Sequence, residues 1–196
     1  YASNGHHENL LIVQADIYHM PFPKEVSDDL FCLGVLQHTP DVEKAFKALP
    51  TYKRKGGRLA VDIYLKIPGV LPWVLRTTNT WNVVRPITAR MDPDKLYAFC
   101  ERHIDRMWNL AKKINHKPWG PFVLRRLLVP PYIGVYDLPD DLLKQWMKLD
   151  MFDSLGAAYI YTQTLLTAKK WFHESPLTDI TVCCGHNGVN GRATKM

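Results

Sequence analysis

The sequence predicts an α/β fold: a mostly parallel sheet with a helical cap inserted into it. Three observations carry that expectation. Two short apolar runs, Asn9–Ala15 and Leu30–Leu36, are continuous instead of alternating, as in strands buried on both faces. A helical pattern and a glycine turn then separate the second run from a third, Arg58–Leu65. Strand, helix, turn, strand makes a right-handed parallel crossover the default. Finally, residues 66 to about 136 break this rhythm, gathering prolines and the tryptophans Trp73, Trp81, Trp108 and Trp119, which reads as an insertion after the third strand.

Each element has a local reason. Asp16 closes the first run, and Met20-Pro21-Phe22-Pro23 is rich in turn formers. Asp28-Asp29 leads into the second run. Asp41–Leu49 sets Val42, Ala45, Phe46 and Leu49 at helical spacing, with Thr39 or Asp41 as N-cap and Pro50 behind. Lys55-Gly56-Gly57 is a turn signal before the third run. In the insertion, Asp94–Ile114 predicts a helix whose apolar stripe is Leu96, Phe99, Cys100, His103, Met107, Leu110 and Ile114. Asp140–Leu149 and Gln163–Phe172 predict two more helices. Asp179–Cys184 and Val189–Ala193, joined by a turn at Gly185–Gly188, return the chain to the sheet. The expected organisation is residues 1–65 in a core, 66–150 in a cap, and 151–196 back in the core.

A chain of 196 residues, 46% hydrophobic and 22% charged, is long enough for one core and too apolar for a disordered segment. Its 25 Lys and Arg against 19 Asp and Glu give a net charge of +6, a mild field that favours anionic partners without naming one. No apolar run approaches the roughly 18–20 residues that cross a bilayer, so no membrane span is expected. Cys32, Cys100, Cys183 and Cys184 follow neither a disulfide framework nor a zinc spacing. Adjacent strand cysteines face opposite sides, so Cys183, Cys184 and His186 are not read as a metal site. A reducing, cytoplasmic setting follows. The chain starts at Tyr1 and meets a buried-looking run within nine residues, so an upstream segment is expected to be missing.

In an open parallel sheet, ligands bind beyond the carboxyl ends of the strands. Those ends are Asp16-Ile17, Gly34–His38 and Asp62–Tyr64. An acid such as Asp16 can accept a hydrogen bond from an exocyclic amine, or it can simply cap a turn.

The string Ala15-Asp16-Ile17, Pro21-Phe22, Asp28, Gly34-Val35-Leu36-Gln37-His38-Thr39-Pro40-Asp41 and Lys55-Gly56-Gly57-Arg58-Leu59 resembles class I S-adenosylmethionine-dependent methyltransferases of the methyltransferase type 11 kind. In that family an Asp follows the third strand, a Pro-Phe comes next, and an Asp opens the fourth strand. A Val-Leu-His-His-like end and a Pro-Gly-Gly-like turn follow. Asp153–Thr164, Lys169-Lys170-Trp171-Phe172 and Gly188–Lys195 resemble the end of one subgroup. The resemblance implies a Rossmann-like fold, here the C-terminal part of a seven-stranded sheet, and S-adenosylmethionine as cofactor. It implies that Asp16 faces the adenine amine and Ile17 its ring. Gly34, Val35 and Leu36 would line the cofactor's methionine arm; Gln37, also cofactor-binding, and His38 would point toward the transferred methyl, with His38 as the catalytic base. Tyr64, Asp153 and Tyr159 match positions that face the acceptor. The family's glycine-rich motif and its ribose-binding acid have no counterpart in this chain, and Gln37-His38 stands where relatives read His-His.

The expected partner is a small-molecule methyl acceptor, with nucleic acid disfavoured and self-association expected through a sheet edge beside Asn9–Ala15. A second expectation, from a different class, is a non-catalytic module that binds RNA or an acidic partner through a basic, aromatic cap. Arg125-Arg126 and Lys112-Lys113 motivate it, although a solvated helix face explains such pairs as well.

Overall fold

The structure is a computed structural model that describes residues 9–66, 69, 80–124, 132–185 and 188–196. In chain order its elements are β1 (Ser27–Leu33), α1 (Val42–Ala48), β2 (Lys53–Ile63), α2 (Thr80–Thr88), α3 (Pro93–Asn115), α4 (Gly120–Leu124), α5 (Asp140–Gly156), α6 (Leu165–Glu174), β3 (Leu177–Cys184) and β4 (Val189–Lys195). Short 3-10 turns at Leu36–His38 and Leu49–Tyr52 flank α1. They form two compact units. One takes the chain up to Lys66 and again from Tyr161 onward, and the other is Ile67–Ile160. The chain leaves the helical unit at residue 160, later than the expected 150, because α5 runs unbroken through Gly156.

The sheet unit orders its four strands β1-β2-β4-β3. β1 and β2 are parallel, as the crossover predicts, while β4 runs antiparallel to both neighbours. Along β2, Leu59, Val61 and Ile63 are buried on one face and Arg58, Ala60 and Asp62 alternate on the other. The buried row joins Val42, Phe46, Trp171, Phe172 and Ala193, so α1 and α6 share one side of the sheet. Phe46 is the hub, with ring centroids 4.8 Å from Phe172 and 6.0 Å from Trp171. Asp41 caps α1 by accepting from the Lys44 N–H at 3.0 Å.

Two sequence expectations fail here for physical reasons. Asn9–Ala15 is not a strand: Leu10, Leu11, Ile12 and Val13 are 40–79% exposed. An apolar run becomes a strand only by pairing, and among the described residues nothing pairs with this one. Among the described residues β1 is therefore an edge strand, pairing with β2 alone, and its Phe31 and Leu33 are open to solvent. Nor does Lys55-Gly56-Gly57 precede β2; it lies inside it. The pairing jumps from Ser27 opposite Lys53 to Asp29 opposite Arg58, and the surplus residues of β2 bulge out. Gly56 takes φ +75° there. A side chain on Gly57 would strike the Asp28 carbonyl, 2.4 Å away, and the Lys53 ammonium. Lys53 itself is fully buried and donates to that same Asp28 carbonyl. Burial pushes its pKa down, against the pull of Asp29 and Asp28.

In the helical unit, Asp92 caps α3 by accepting from the Asp94 and Lys95 N–H groups, both at 3.1 Å, with Pro93 in the first turn. The buried stripe of α3 is Leu96, Cys100, Ile104, Trp108 and Ala111. It is turned from the expected stripe, and Phe99 and Leu110 are exposed. The helix is apolar over a wide arc, and its partner α5 decides which part is covered. That partner offers Leu143, Met147, Met151 and Leu155. Lys112 pairs with Asp140, Lys144 with Asp105 and Lys148 with Glu101, so the two helices run antiparallel. The same stripe carries α5 past the expected end at Leu149. α6 begins at Leu165, two residues later than expected, because Thr164 is its cap and accepts from the Thr167 N–H at 3.0 Å. No helix among the described residues is long and apolar enough to cross a membrane. His6, His7, Trp73, Arg125, Arg126 and His186 lie outside the described residues.

Candidate active site

The carboxyl end of β1 turns sharply. Gly34 follows the strand with φ +67°, a conformation that favours glycine, and its N–H donates to the Asp62 carbonyl of β2 at 3.2 Å. Val35 is half exposed, and Leu36–His38 then make one 3-10 turn. Thr39 locks that turn by donating its hydroxyl to the Leu36 carbonyl at 2.7 Å. Leu36 is fully buried, with its side chain in the core.

Asp16 sits in a turn of its own. Its carboxylate accepts from the Tyr18 N–H at 2.9 Å and meets His19 Nδ1 at 3.0 Å. The His19 contact and the Tyr18 N–H hold its pKa below the usual carboxylate range. These two bonds leave lone pairs on both oxygens for a further donor. Tyr18 fastens this turn to the β1 loop. Its hydroxyl donates to the Asp41 carbonyl and accepts from the Asp41 N–H, each at 2.9 Å. Ile17 is half-buried against the core. Tyr18 thus ties the Asp16 turn to Asp41, three residues beyond His38, although the strand expected before Asp16 does not form.

Gln37 is the unusual residue. Its side chain is fully buried, and neither its amide nitrogen nor its oxygen has a partner among the described residues. The amide nitrogen lies beside Gly34, 3.8 Å from where a Cβ would stand. Above it runs a strap that the sequence did not reveal. The Tyr161 N–H donates to the Gln37 carbonyl at 2.8 Å, and the Gln163 N–H donates to the Tyr64 carbonyl at 2.9 Å. Leu65 and Gln163 then form a parallel bridge. His38 and Tyr64 come together under this strap, with their rings edge to face at 5.8 Å. Asp153 and Tyr159 belong to the helical unit: Asp153 is exposed near the end of α5, and its charge contributes, after burial, to raising the pKa of Asp150. Tyr159 lines a cavity there.

A glycine-turned strand end, a buried uncommitted amide and an acid with spare lone pairs fit the adenosyl and amino-acid parts of S-adenosylmethionine. Asp16 and the Gly34–Gln37 loop are the residues that would hold it. A parallel β–α–β unit with polar groups beyond the strand ends defines the class of fold: a Rossmann-like core.

Comparison with known proteins narrows that class. Residues 1–61 match the family described as Methyltransferase domain. The tRNA U34 carboxymethyltransferase of Campylobacter curvus (strain 525.92) is 30% identical over 95 residues, which is 48% of this chain and 31% of that protein. The chain therefore spans under a third of the length of this curated relative. Among solved structures, YcgJ of Bacillus subtilis is 26% identical, covers 40% of this chain and 32% of its own, and has a TM-score of 0.32. A protein of Bordetella parapertussis is 14% identical over 92% of this chain and 42% of its own, with a TM-score of 0.41. The family match is confined to the first 61 of the 196 residues.

Proposed function

We propose that the protein transfers a methyl group from S-adenosylmethionine to a small-molecule acceptor. The observation that carries this is the Gln37 amide, buried and without a partner beside Gly34, within a segment matched by the methyltransferase family. A buried amide with both groups idle costs about 1–3 kcal/mol, and such a cost persists where a ligand relieves it. Bound S-adenosylmethionine supplies an electrophilic methyl on a sulfonium. The chain's part is to bind and orient. Asp16 accepts from the adenine amine, Ile17 offers an apolar edge, and the Gly34–Gln37 loop meets the amino-acid arm. His38, whose ring meets Tyr64 edge to face, would take the acceptor's proton at a ring nitrogen. Tyr64, Asp153 and Tyr159 are assigned to the acceptor.

Calorimetric titration with S-adenosylhomocysteine tests this reading. A charge-assisted hydrogen bond contributes about 1.5–3 kcal/mol, so Asp16→Ala should weaken binding tenfold or more. Equal affinity in the variant, or no binding by the unmodified protein, would overturn it.

A second reading has one observation in its favour: the curated relative acts, by its name, on tRNA. With a charge of +6, a nucleic-acid acceptor or an RNA-binding role predicts steeply salt-dependent RNA binding, and salt-insensitive or absent binding removes it.

A further inference from the structure

One face of α2 carries a pattern that the cofactor reading does not use. Asn82, Arg85, Pro86, Ala89 and Arg90 fall at spacings of three, one, three and one, which places them on a single helical face. The helical ladder extends beyond Thr88 far enough to keep them aligned, since the Ala89 N–H donates to the Arg85 carbonyl at 2.8 Å. Together with Tyr159 they line a cavity of about 440 Å³ within the helical unit. That volume lies in the range of small-molecule sites, roughly 300–1,000 Å³.

The lining has a definite chemistry. The two charged groups among its described lining residues are guanidiniums, which keep their charge at any ordinary pH and match a carboxylate with paired donors. Arg90 uses one N–H on the Pro86 carbonyl and has no carboxylate partner among the described residues. Arg85 is half-buried, where a cation is stronger toward an anion than on an open surface. Pro86 and Ala89 give the floor an apolar character, and Tyr159 adds an aromatic ring with a polar tip. No described lining residue is acidic.

We propose that this cavity binds a small organic acid, with its carboxylate on Arg85 and Arg90 and its apolar body on Pro86, Ala89 and the Tyr159 ring. A concave, partly apolar cavity suits such a molecule better than an extended polyanion, whose phosphates would track an open surface.

The test titrates hexanoate and phenylacetate, their neutral amides, and inorganic phosphate into the protein, following backbone amide shifts of α2 by NMR. At least one acid should bind tenfold or more tighter than its amide, with the shifts centred on Asn82–Arg90. Arg90→Gln, at an exposed position, should cost that acid about tenfold while leaving the thermal midpoint unchanged. Arg85→Gln serves as a second variant if it stays folded. Binding of acid and amide alike, displacement of the acid by an equal concentration of phosphate, an unaffected Arg90→Gln, or no binding by either acid would overturn the proposal. S-adenosylhomocysteine is titrated separately. Its binding without acid binding sinks only this inference, whereas acid binding without it sinks the methyl-transfer reading.

Discussion

Replacing Gly191 by alanine should destabilise the sheet unit through one identifiable collision. A Cβ there would stand 2.2 Å from Phe172 Cζ and 2.4 Å from Cε2, whereas carbons rest at about 3.5–4.0 Å. One of the two must retreat by more than an ångström. Gly191 is pinned in mid-sheet, opposite Val61 on one side and Val182 on the other. The Phe172 ring is 1% exposed and wedged against Phe46. With neither free to move, the cost belongs near the top of the usual overpacking range, about 3 kcal/mol. Urea unfolding followed by circular dichroism reads it. Phe172→Leu in the same chain should recover part of the loss, so the double variant is less destabilised than the sum of the singles by about 1 kcal/mol. There is a functional echo. Phe172 belongs to α6, whose cap Thr164 directly follows the strap over Gln37, so Gly191→Ala should also weaken S-adenosylhomocysteine binding. A Gly191→Ala protein within 0.5 kcal/mol of the parent, roughly the scatter of a neutral substitution, or strict additivity with Phe172→Leu, would refute the packing argument.

Other outcomes follow from the same coordinates. Asp41→Ala removes the α1 cap and should cost about 1 kcal/mol in the same unfolding assay; no change would show that the helix end is held by other contacts. Arg58 donates to both oxygens of Asp29 and holds its carboxyl at about 2. Because this lies below the unfolded value, the pair's contribution is complete above roughly pH 4 and fades as pH falls toward 2. An NMR titration of Asp29 should show that midpoint and its return toward the ordinary carboxylate range in Arg58→Gln. Phe31→Lys should lower any self-association through the β1 edge, read as a shift toward monomer in sedimentation. Cys32, pushed up to about 11 by burial, should react with a thiol reagent only on unfolding, while Cys183 and Cys184 react in the native protein.

The sequence showed most clearly what a strand or helix needs from its own residues. Apolar runs marked β1 and β2, Asp179–Cys184 and Val189–Ala193 about the Gly185–Gly188 turn marked the β3–β4 hairpin, and Asp41 was one of two candidate caps for α1. What it hid depended on partners. Asn9–Ala15 has a strand's composition and no neighbour to pair with, and the arc of α3 that is covered was settled by α5. Gly56-Gly57 spell a turn, yet the chain uses them to bulge inside β2. At the candidate site, Asp16 and Gly34–His38 were legible because a strand end is a local feature. The Tyr161–Gln163 strap was not, since it joins segments separated by the whole helical unit, and Arg85 and Arg90 stood in a stretch whose period is interrupted by Pro86.

The bridge between Leu65 and Gln163 has a consequence for how such a chain can change. The Lys66 N–H donates to the Gln163 carbonyl at 2.8 Å, so the strand leaving the sheet unit and the segment re-entering it are already clasped together. Residues 67–160 are inserted in the sequence at that clasp, a stem whose two sides touch. An insertion with joined ends imposes little loop-closure entropy on its host, whatever its length. The sheet unit can therefore keep its β1–α1 loop while the inserted helices are lengthened, shortened or exchanged, which makes the stem the natural splice point for a different insertion.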